Sequence, residues 1–191
     1  VRAYYVGMGK EAYSPYFTFL EQYYMYNMKR HYLTFALNTA EEMIQVAEEA
    51  GDTTLMKAVG YYYAASAHFQ LGDAVKMERC LNRVYEIGRI RAGQEQNPMV
   101  YYNYVSGLAM LANLYVSKGQ CQQAYILTDE MCEGVRNRFT EVSTQYISAL
   151  MAKADVLNKC GQQSKTIALL DSIKMLGQQL PPDLHLFWEN V

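Results

Sequence analysis

The sequence predicts an all-α fold, a solenoid of about four antiparallel helix pairs. Two observations predict it: apolar residues recur at helical spacing along nearly the whole chain, and turn residues recur about every forty residues. The turns inside successive pairs fall at His31, Gly72, Gly119 and Gly161, which are separated by 41, 47 and 42 residues. A helix pair of this length is unstable alone and buries its core by stacking on its neighbours.

Composition indicates a folded segment and excludes some classes of protein. Of the 191 residues, 51% are hydrophobic and 19% are charged, which is typical of a globular chain. The net charge of −2 argues against a nucleic-acid-binding surface. No apolar run reaches the roughly 18 to 20 residues of a membrane helix, so we expect no membrane span in this segment. Because the chain begins at Val1 without an initiator Met, we expect it to be a fragment of a longer protein.

Capping residues predict the helix starts. Ser14-Pro15 and Asn97-Pro98 each place a side-chain acceptor directly before a Pro at the first helical position. The first helix of each later pair is predicted to start after Asp52, after Asn97 and at Thr140. The apolar faces of the second helices begin near Leu33, Val75, Cys121 and Ile167.

Glycines predict where helices end or approach one another closely. Gly51 and Gly177 close the second helix of the first and last pairs, and the first helix of the second pair is predicted to extend to about Leu71. Gly60 and Gly107 lie inside helices, where each costs about 1 kcal/mol of helix propensity relative to Ala. We expect that these two glycines allow closer contact between neighbouring helices.

These signals predict one domain over residues 1–191. Its four units are predicted at residues 13–51, 52–96, 97–139 and 140–178. Residues 1–12 and 179–191 are expected to belong to partial flanking units, and Pro181-Pro182-Asp183 predicts one more helix over residues 184–191.

The four cysteines lack the spacing of a metal site. No Cys-x-x-Cys motif occurs, and no His lies near a Cys in sequence, so we expect no zinc. Cys121 and Cys132 share a predicted helix and lie about 16 Å apart along it, too far for a disulfide. Cys121 and Cys160 both lie at turns of successive units and can be neighbours. We nevertheless expect four buried or half-buried thiols, those of Cys80, Cys121, Cys132 and Cys160.

Residues 111–124 carry the clearest repeat pattern. Ala112, Tyr115, Gly119 and Ala124 place a small residue, an aromatic residue, a turn Gly and an Ala at spacings of three, four and five. This pattern resembles the tetratricopeptide repeat (TPR). The partial matches are at Ala65, Gly72, Ala154 and Gly161 and, in the first unit, at Ala36, where His31 takes the Gly position and Asn27 the aromatic one.

The resemblance implies a right-handed α-α superhelix. Units of more than 40 residues exceed the usual 34, so the chain is similar to the longer-helix variety seen in bacterial regulators. The small side chains of Ala65, Ala112 and Ala154 are expected to let paired helices approach.

The resemblance also implies where a ligand binds, because in TPR proteins the first helix of each pair lines a concave groove. Gln70, Asn113 and Asn158 are then placed to hydrogen-bond the backbone of an extended peptide. The alternative is that these are ordinary solvated positions, and a carboxylate-binding clamp is disfavoured because only Asn113 matches it. The implied groove residues are Met25, Met28, Lys29, Tyr62, Ser66, Phe69, Gln70, Ala109, Asn113, Val116, Ser117, Met151, Asp155, Asn158 and Lys159.

No catalytic centre is predicted. His31, His68 and His185 are dispersed, and no nucleophile, metal or cofactor motif occurs. We therefore expect a non-catalytic module with a protein or peptide partner in the groove, possible homodimerisation, and no bound nucleic acid, metal or cofactor.

The Tyr-rich array with long repeats resembles the sensing region of a bacterial two-component sensor histidine kinase, which implies a periplasmic location. The alternative is the peptide-binding domain of a cytoplasmic TPR transcription regulator.

Overall fold

A computed structural model describes residues 13–180, and over this range the chain is all α-helical apart from its connections. The prediction of an all-α fold built of four helix pairs is confirmed. The predicted helix over residues 184–191 and the partial unit at residues 1–12 lie outside the described residues. The helices are α1 (Tyr13–Lys29), α2 (Leu33–Glu49), α3 (Met56–Gln70), α4 (Ala74–Arg91), α5 (Pro98–Ser117), α6 (Cys121–Arg138), α7 (Thr144–Lys159) and α8 (Gln163–Gly177).

The turn inside each pair has the same backbone geometry. His31, Gly72, Gly119 and Gly161 have positive φ angles of 57°, 75°, 73° and 75°. At the third turn the amide of Gly119 donates to the carbonyl of Val116 at 2.9 Å. The amide of Gln120 donates to the carbonyl of Tyr115 at 2.8 Å. This is the Schellman ending of a helix, and it confirms the predicted turn register, including the substitution of His31 for Gly.

Two predicted helix starts are wrong by several residues. Helix α3 begins at Met56 rather than Thr53, because the Asp52 carboxylate accepts from the amides of Thr54 and Lys57 and holds a turn before the helix. Helix α7 begins at Thr144 rather than Thr140, since Ser143 is its N-cap and accepts from the amide of Tyr146 at 3.2 Å.

Small residues set the distance between packed helices. Ala65, Ala112 and Ala154 are buried, as predicted. A Cβ added at Gly60 would lie 2.9 Å from Ile44 Cγ1, and one added at Gly107 would lie 2.9 Å from Val84 Cγ1. Both helical glycines therefore permit close helix contact, which confirms that expectation.

Gly88, in α4, permits an even closer approach that the sequence did not reveal. A Cβ at this position would lie 2.0 Å from the ring of Tyr104 in α5. The ring of Tyr104 occupies the space that any larger residue would need, and Tyr104 is itself buried.

The chain divides into two compact units, and the division falls inside α5, between Gly107 and Leu108. Unit 1 contains α1 to α4 and the first half of α5; unit 2 contains the second half of α5 and α6 to α8. The single domain and its four boundaries stay predictions. Over residues 13–180, no helix is long and apolar enough to cross a membrane.

Unit 2 contains a disulfide between Cys121 and Cys160, with Cα atoms 5.9 Å apart. The expectation of four thiols is therefore wrong for this pair. Stacking of one helix pair on the next brings the first residue of α6 beside the residue that follows α7. Cys80 and Cys132 are free thiols, half-buried and buried respectively, as expected.

Candidate peptide-binding face

In unit 1 the predicted groove residues fall into an exposed and a half-buried group. Met25, Lys29 and Gln70 are exposed, whereas Tyr62 and Ser66 are half-buried on α3. Burial raises the pKa of the Tyr62 phenol, and the neighbouring Ser66 and Ser106 side chains oppose that rise. Tyr62 also packs close to α5, since a Cβ added at Gly107 would lie 3.5 Å from Tyr62 Cβ.

A polar cluster beside Tyr62 joins three first helices. The Tyr63 hydroxyl donates to Glu21 Oε1 at 2.5 Å, and Asn103 Nδ2 donates to the same oxygen at 3.1 Å. Asn103 Nδ2 also lies 3.2 Å from the Tyr63 hydroxyl oxygen. We refer to Glu21, Tyr63 and Asn103 as the Glu21 cluster; its members come from α1, α3 and α5.

Sequence reasoning missed the Glu21 cluster, although one signal pointed to it. Glu21 lies ten residues before His31, just as Tyr62 lies ten residues before Gly72. The turn register therefore makes Glu21 the equivalent of Tyr62 in the first pair. Asn103 lies near the start of α5 and has no counterpart in the TPR pattern, so only the structure could identify it.

Buried phenols fix the cluster in place. The Tyr24 hydroxyl donates to the Tyr63 carbonyl at 2.9 Å, and the two rings stack with centroids 4.4 Å apart. Burial raises the pKa of both phenols well above the usual range, and for Tyr63 the hydrogen bond to Glu21 and the Glu21 charge add to that rise. Both phenols are therefore neutral donors at physiological pH.

In unit 2 the structure brings three of the predicted groove residues together. Lys159 Nζ donates to Asn113 Oδ1 at 2.9 Å and to Asp155 Oδ2 at 2.6 Å. Asn113 Nδ2 also donates to the Ala109 carbonyl at 3.2 Å. This network joins α5 to α7, and so the first helices of successive pairs are again linked by polar side chains.

The other predicted residues of unit 2 stay outside that network. Val116 is half-buried, and the Ser117 hydroxyl donates back to the Leu114 carbonyl at 2.7 Å. Asn158 is exposed and lies on the wall of a cleft between α7 and α8.

That cleft has a volume of about 440 Å³ and is mainly apolar. Leu170 there is 42% exposed, whereas the residues in the same register of the earlier second helices are at most 1% exposed: Ala40, Leu81 and Thr128. In two of these cases the next first helix packs on the second helix, α3 on α2 and α7 on α6. We therefore interpret the cleft as a helix-packing surface and not as a small-molecule site. Its lining residues are Met151, Ala154, Asp155, Asn158, Gln163, Thr166, Ile167 and Leu170.

The two described histidines, His31 and His68, lie in different parts of the fold. His68 is buried in α3, and its Nδ1 lies 4.0 Å from Asp73 Oδ2 without a hydrogen-bond partner. His31 forms a turn, and His185 lies outside the described residues. Between residues 13 and 180, no three His, Cys, Asp or Glu side chains come together as metal ligands.

Comparison with known proteins identifies the fold but no family. No family model matches the chain, and no curated protein matches it. Among the solved structures that are similar, two are of the nearly identical TPR-like repeats of a candidate kinesin light chain from Podosopora anserina, one of them a single-residue variant. The first has a TM-score of 0.58 at 14% identity, covering 93% of this chain and 92% of that chain. The variant has a TM-score of 0.60 at 14% identity, covering 93% and 91%. The chain therefore has a TPR-like repeat fold.

Proposed function

We propose that this chain is a non-catalytic protein-binding module that takes an extended peptide along its first helices. One observation carries the proposal: polar side chains connect successive first helices in both units, through the Glu21 cluster in unit 1 and through Asn113 and Lys159 in unit 2. Apart from the buried Tyr63, these side chains are exposed or half-buried, so they can reach a ligand while their neighbours hold them in position.

The chemistry of this face suits a peptide backbone. A peptide in extended form offers unpaired amide and carbonyl groups, which asparagine and glutamine side chains can match as both donors and acceptors. Asn158 and Gln70 are exposed, and Asn113 is already oriented by Lys159. Preorganised side chains lose less entropy on binding, which favours recognition at this face.

Titration of the purified chain with a peptide library tests the proposal. We expect Asn113→Ala and Asn158→Ala each to weaken binding about threefold to tenfold, the loss of one hydrogen bond. The matched control is Asn137→Ala, which removes an exposed asparagine from the second helix α6. If both test variants leave every measured affinity unchanged, no peptide binds along the first helices as proposed.

At a finer level, we propose that the module is the sensing region of a bacterial two-component sensor histidine kinase. The disulfide between Cys121 and Cys160 supports this over the cytoplasmic regulator, since disulfides persist mainly in oxidising compartments such as the periplasm. Trapping free thiols by alkylation in the native cell tests the location. A fully reduced Cys121 would contradict the periplasmic assignment.

The sequence that follows residue 191 in the parent protein tests the kinase assignment. A membrane span followed by a helical hairpin with a phosphorylatable His would support it. A helix-turn-helix domain in that position would support the transcription regulator instead.

A further inference from the structure

We propose that Glu21 binds a cationic nitrogen of the partner peptide, supplied by a lysine, an arginine or a free amino terminus. The inference rests on the proposed function and specifies which chemical group of the peptide is bound at one position of the binding face. Glu21 is a half-buried carboxylate that forms no ion pair with any residue between 13 and 180.

The hydrogen bonds to Glu21 leave room for such a ligand. Tyr63 and Asn103 both donate to Oε1, and no described residue donates to Oε2. Both donors are neutral, so they orient the carboxylate without adding positive charge. A cation at Oε2 would supply the positive charge that the Glu21 carboxylate lacks as a partner, and it would donate a charge-assisted hydrogen bond.

Three other carboxylates of the described residues already have a cation beside them. Asp155 pairs with Lys159 at 2.6 Å, Asp129 with Lys153 at 2.6 Å, and Glu48 with Lys57 at 2.8 Å. Lys29 shares α1 with Glu21, but it lies eight residues further on, about 12 Å along the helix axis. Glu21 therefore differs from these groups in having a prepared carboxylate and no cation of its own.

The aromatic surroundings favour the same kind of ligand. The Tyr63 ring lies against Tyr62, with centroids 5.3 Å apart, and stacks on Tyr24. Tyrosine ring faces attract cations, and attraction between charges is stronger at a half-buried site than on an open surface. A peptide lysine or arginine could therefore contact both the carboxylate and the face of Tyr62.

The experiment compares matched peptides on the unaltered protein. From a peptide that binds, we would make versions in which each lysine becomes norleucine, each arginine becomes citrulline, or the amino terminus is acetylated. We expect one of these neutral versions to bind at least tenfold more weakly, and which one it is identifies the source of the cation. Equal binding of all versions would overturn the inference.

Glu21→Gln on the protein side removes the charge but keeps the shape and an acceptor for Tyr63. We expect it to weaken the parent peptide about tenfold and to leave the affinity of the neutral version unchanged. Glu41→Gln, which removes an exposed charge from the second helix α2, is the matched control and should have little effect. An equal loss for both peptides would assign Glu21 a purely structural role and overturn the inference.

The outcomes separate this inference from the proposed function. If peptides bind and asparagine variants weaken them, but neither charge removal has an effect, only the Glu21 assignment fails. If no peptide binds the intact chain, both fail.

Discussion

In unit 1, neighbouring helices come close at a glycine, which has no side chain to hold them apart. In unit 2, a covalent bond joins successive helix pairs. Gly88 leaves space for the Tyr104 ring, and buried phenols connect α1 to α3. In unit 2, Cys121 and Cys160 form the link, and Lys159 bridges α5 and α7 at the surface. The same repeat register is thus stabilised by tight packing in one unit and by a cross-link in the other. We therefore expect unit 1 to respond to added volume and alkaline pH, and unit 2 to respond to reduction.

Removing the disulfide should have the largest effect. The cross-link joins residues 39 apart in sequence. For a loop of that length, the chain-entropy relation gives a stabilisation of about 4 kcal/mol. We expect the Cys121→Ser/Cys160→Ser double variant to lose that much free energy of unfolding in urea titration, with faster hydrogen exchange over residues 108–180.

Dithiothreitol supplies the control for the disulfide. It should destabilise the unaltered protein by a similar amount and leave the double variant unchanged. An equal loss of exchange protection in unit 1 would contradict the contrast between the units.

Gly88→Ala should cost about 3 kcal/mol, because the new methyl group would overlap the buried Tyr104 ring and force α4 and α5 apart. Chemical denaturation measures the loss. The matched control is Gly93→Ala, since a Cβ at Gly93 would meet nothing within 4 Å; it should change the stability by less than about 0.5 kcal/mol. A similar cost for both would show that helix approach at Gly88 is unimportant.

Alkaline pH should destabilise unit 1 through its buried phenols. The pKa of Tyr63 is raised in the folded state above its usual value of 10.0, mainly by burial. A raised pKa means that the folded state keeps its proton longer, so this contribution is complete below pH 10 and falls as the pH rises above it. The unfolding free energy measured between pH 8 and pH 11 should fall from about pH 9, because burial also raises the pKa of the Cys80 and Cys132 thiols above 9.0, and more steeply above pH 10.

Tyr63→Phe tests that assignment. It removes the hydrogen bond to Glu21 and should cost about 2 kcal/mol at pH 7, the value of a hydrogen bond to a charged group. The variant should also lose less stability between pH 10 and pH 11 than the unaltered protein. An unchanged pH profile would mean that other groups cause the alkaline loss.

His31→Gly should have the smallest effect, and it should stabilise the protein. His31 has a φ of 57°, a left-handed conformation that costs a non-glycine residue about 1 to 2 kcal/mol. Replacing His31 by glycine removes that strain, but glycine also has more conformational freedom in the unfolded chain, which offsets part of the stabilisation. The net gain in the free energy of unfolding is about 0.5 kcal/mol. The melting temperature measures it. Gly161→Ala, at the equivalent turn of the last pair, should change the stability in the opposite direction.

Much of the fold could be predicted from local sequence. The positions of Gly72, Gly119 and Gly161 predicted the turns, because a helix ending in a left-handed residue favours glycine for local steric reasons. The same register identified His31 as a turn residue, although histidine lacks the conformational freedom of glycine. The starts of α3 and α7 were less accurate, since Asp52 holds a turn before α3 and Ser143, not Thr140, caps α7.

The candidate site was only partly predictable. The repeat pattern placed Asn113, Asp155 and Lys159 at groove-facing positions of successive first helices, and Lys159 does bond both of the others. Glu21 was missed because the first unit matches the TPR pattern only at Ala36, so the groove-facing positions of its first helix were hard to assign. Asn103 could not be found, since nothing local to α5 indicates which helix its side chain will meet.

The sequence by itself determined the helices, their turns and the pairing of each helix with the next. These features depend on residues close together in the chain, where spacing and backbone preference are sufficient. Only the tertiary structure decided that Cys121 bonds Cys160, that Gly88 makes room for Tyr104 and that Glu21 meets Tyr63 and Asn103. Each of these depends on the distance between helices in different pairs, which is set by how side chains from both sides fit together.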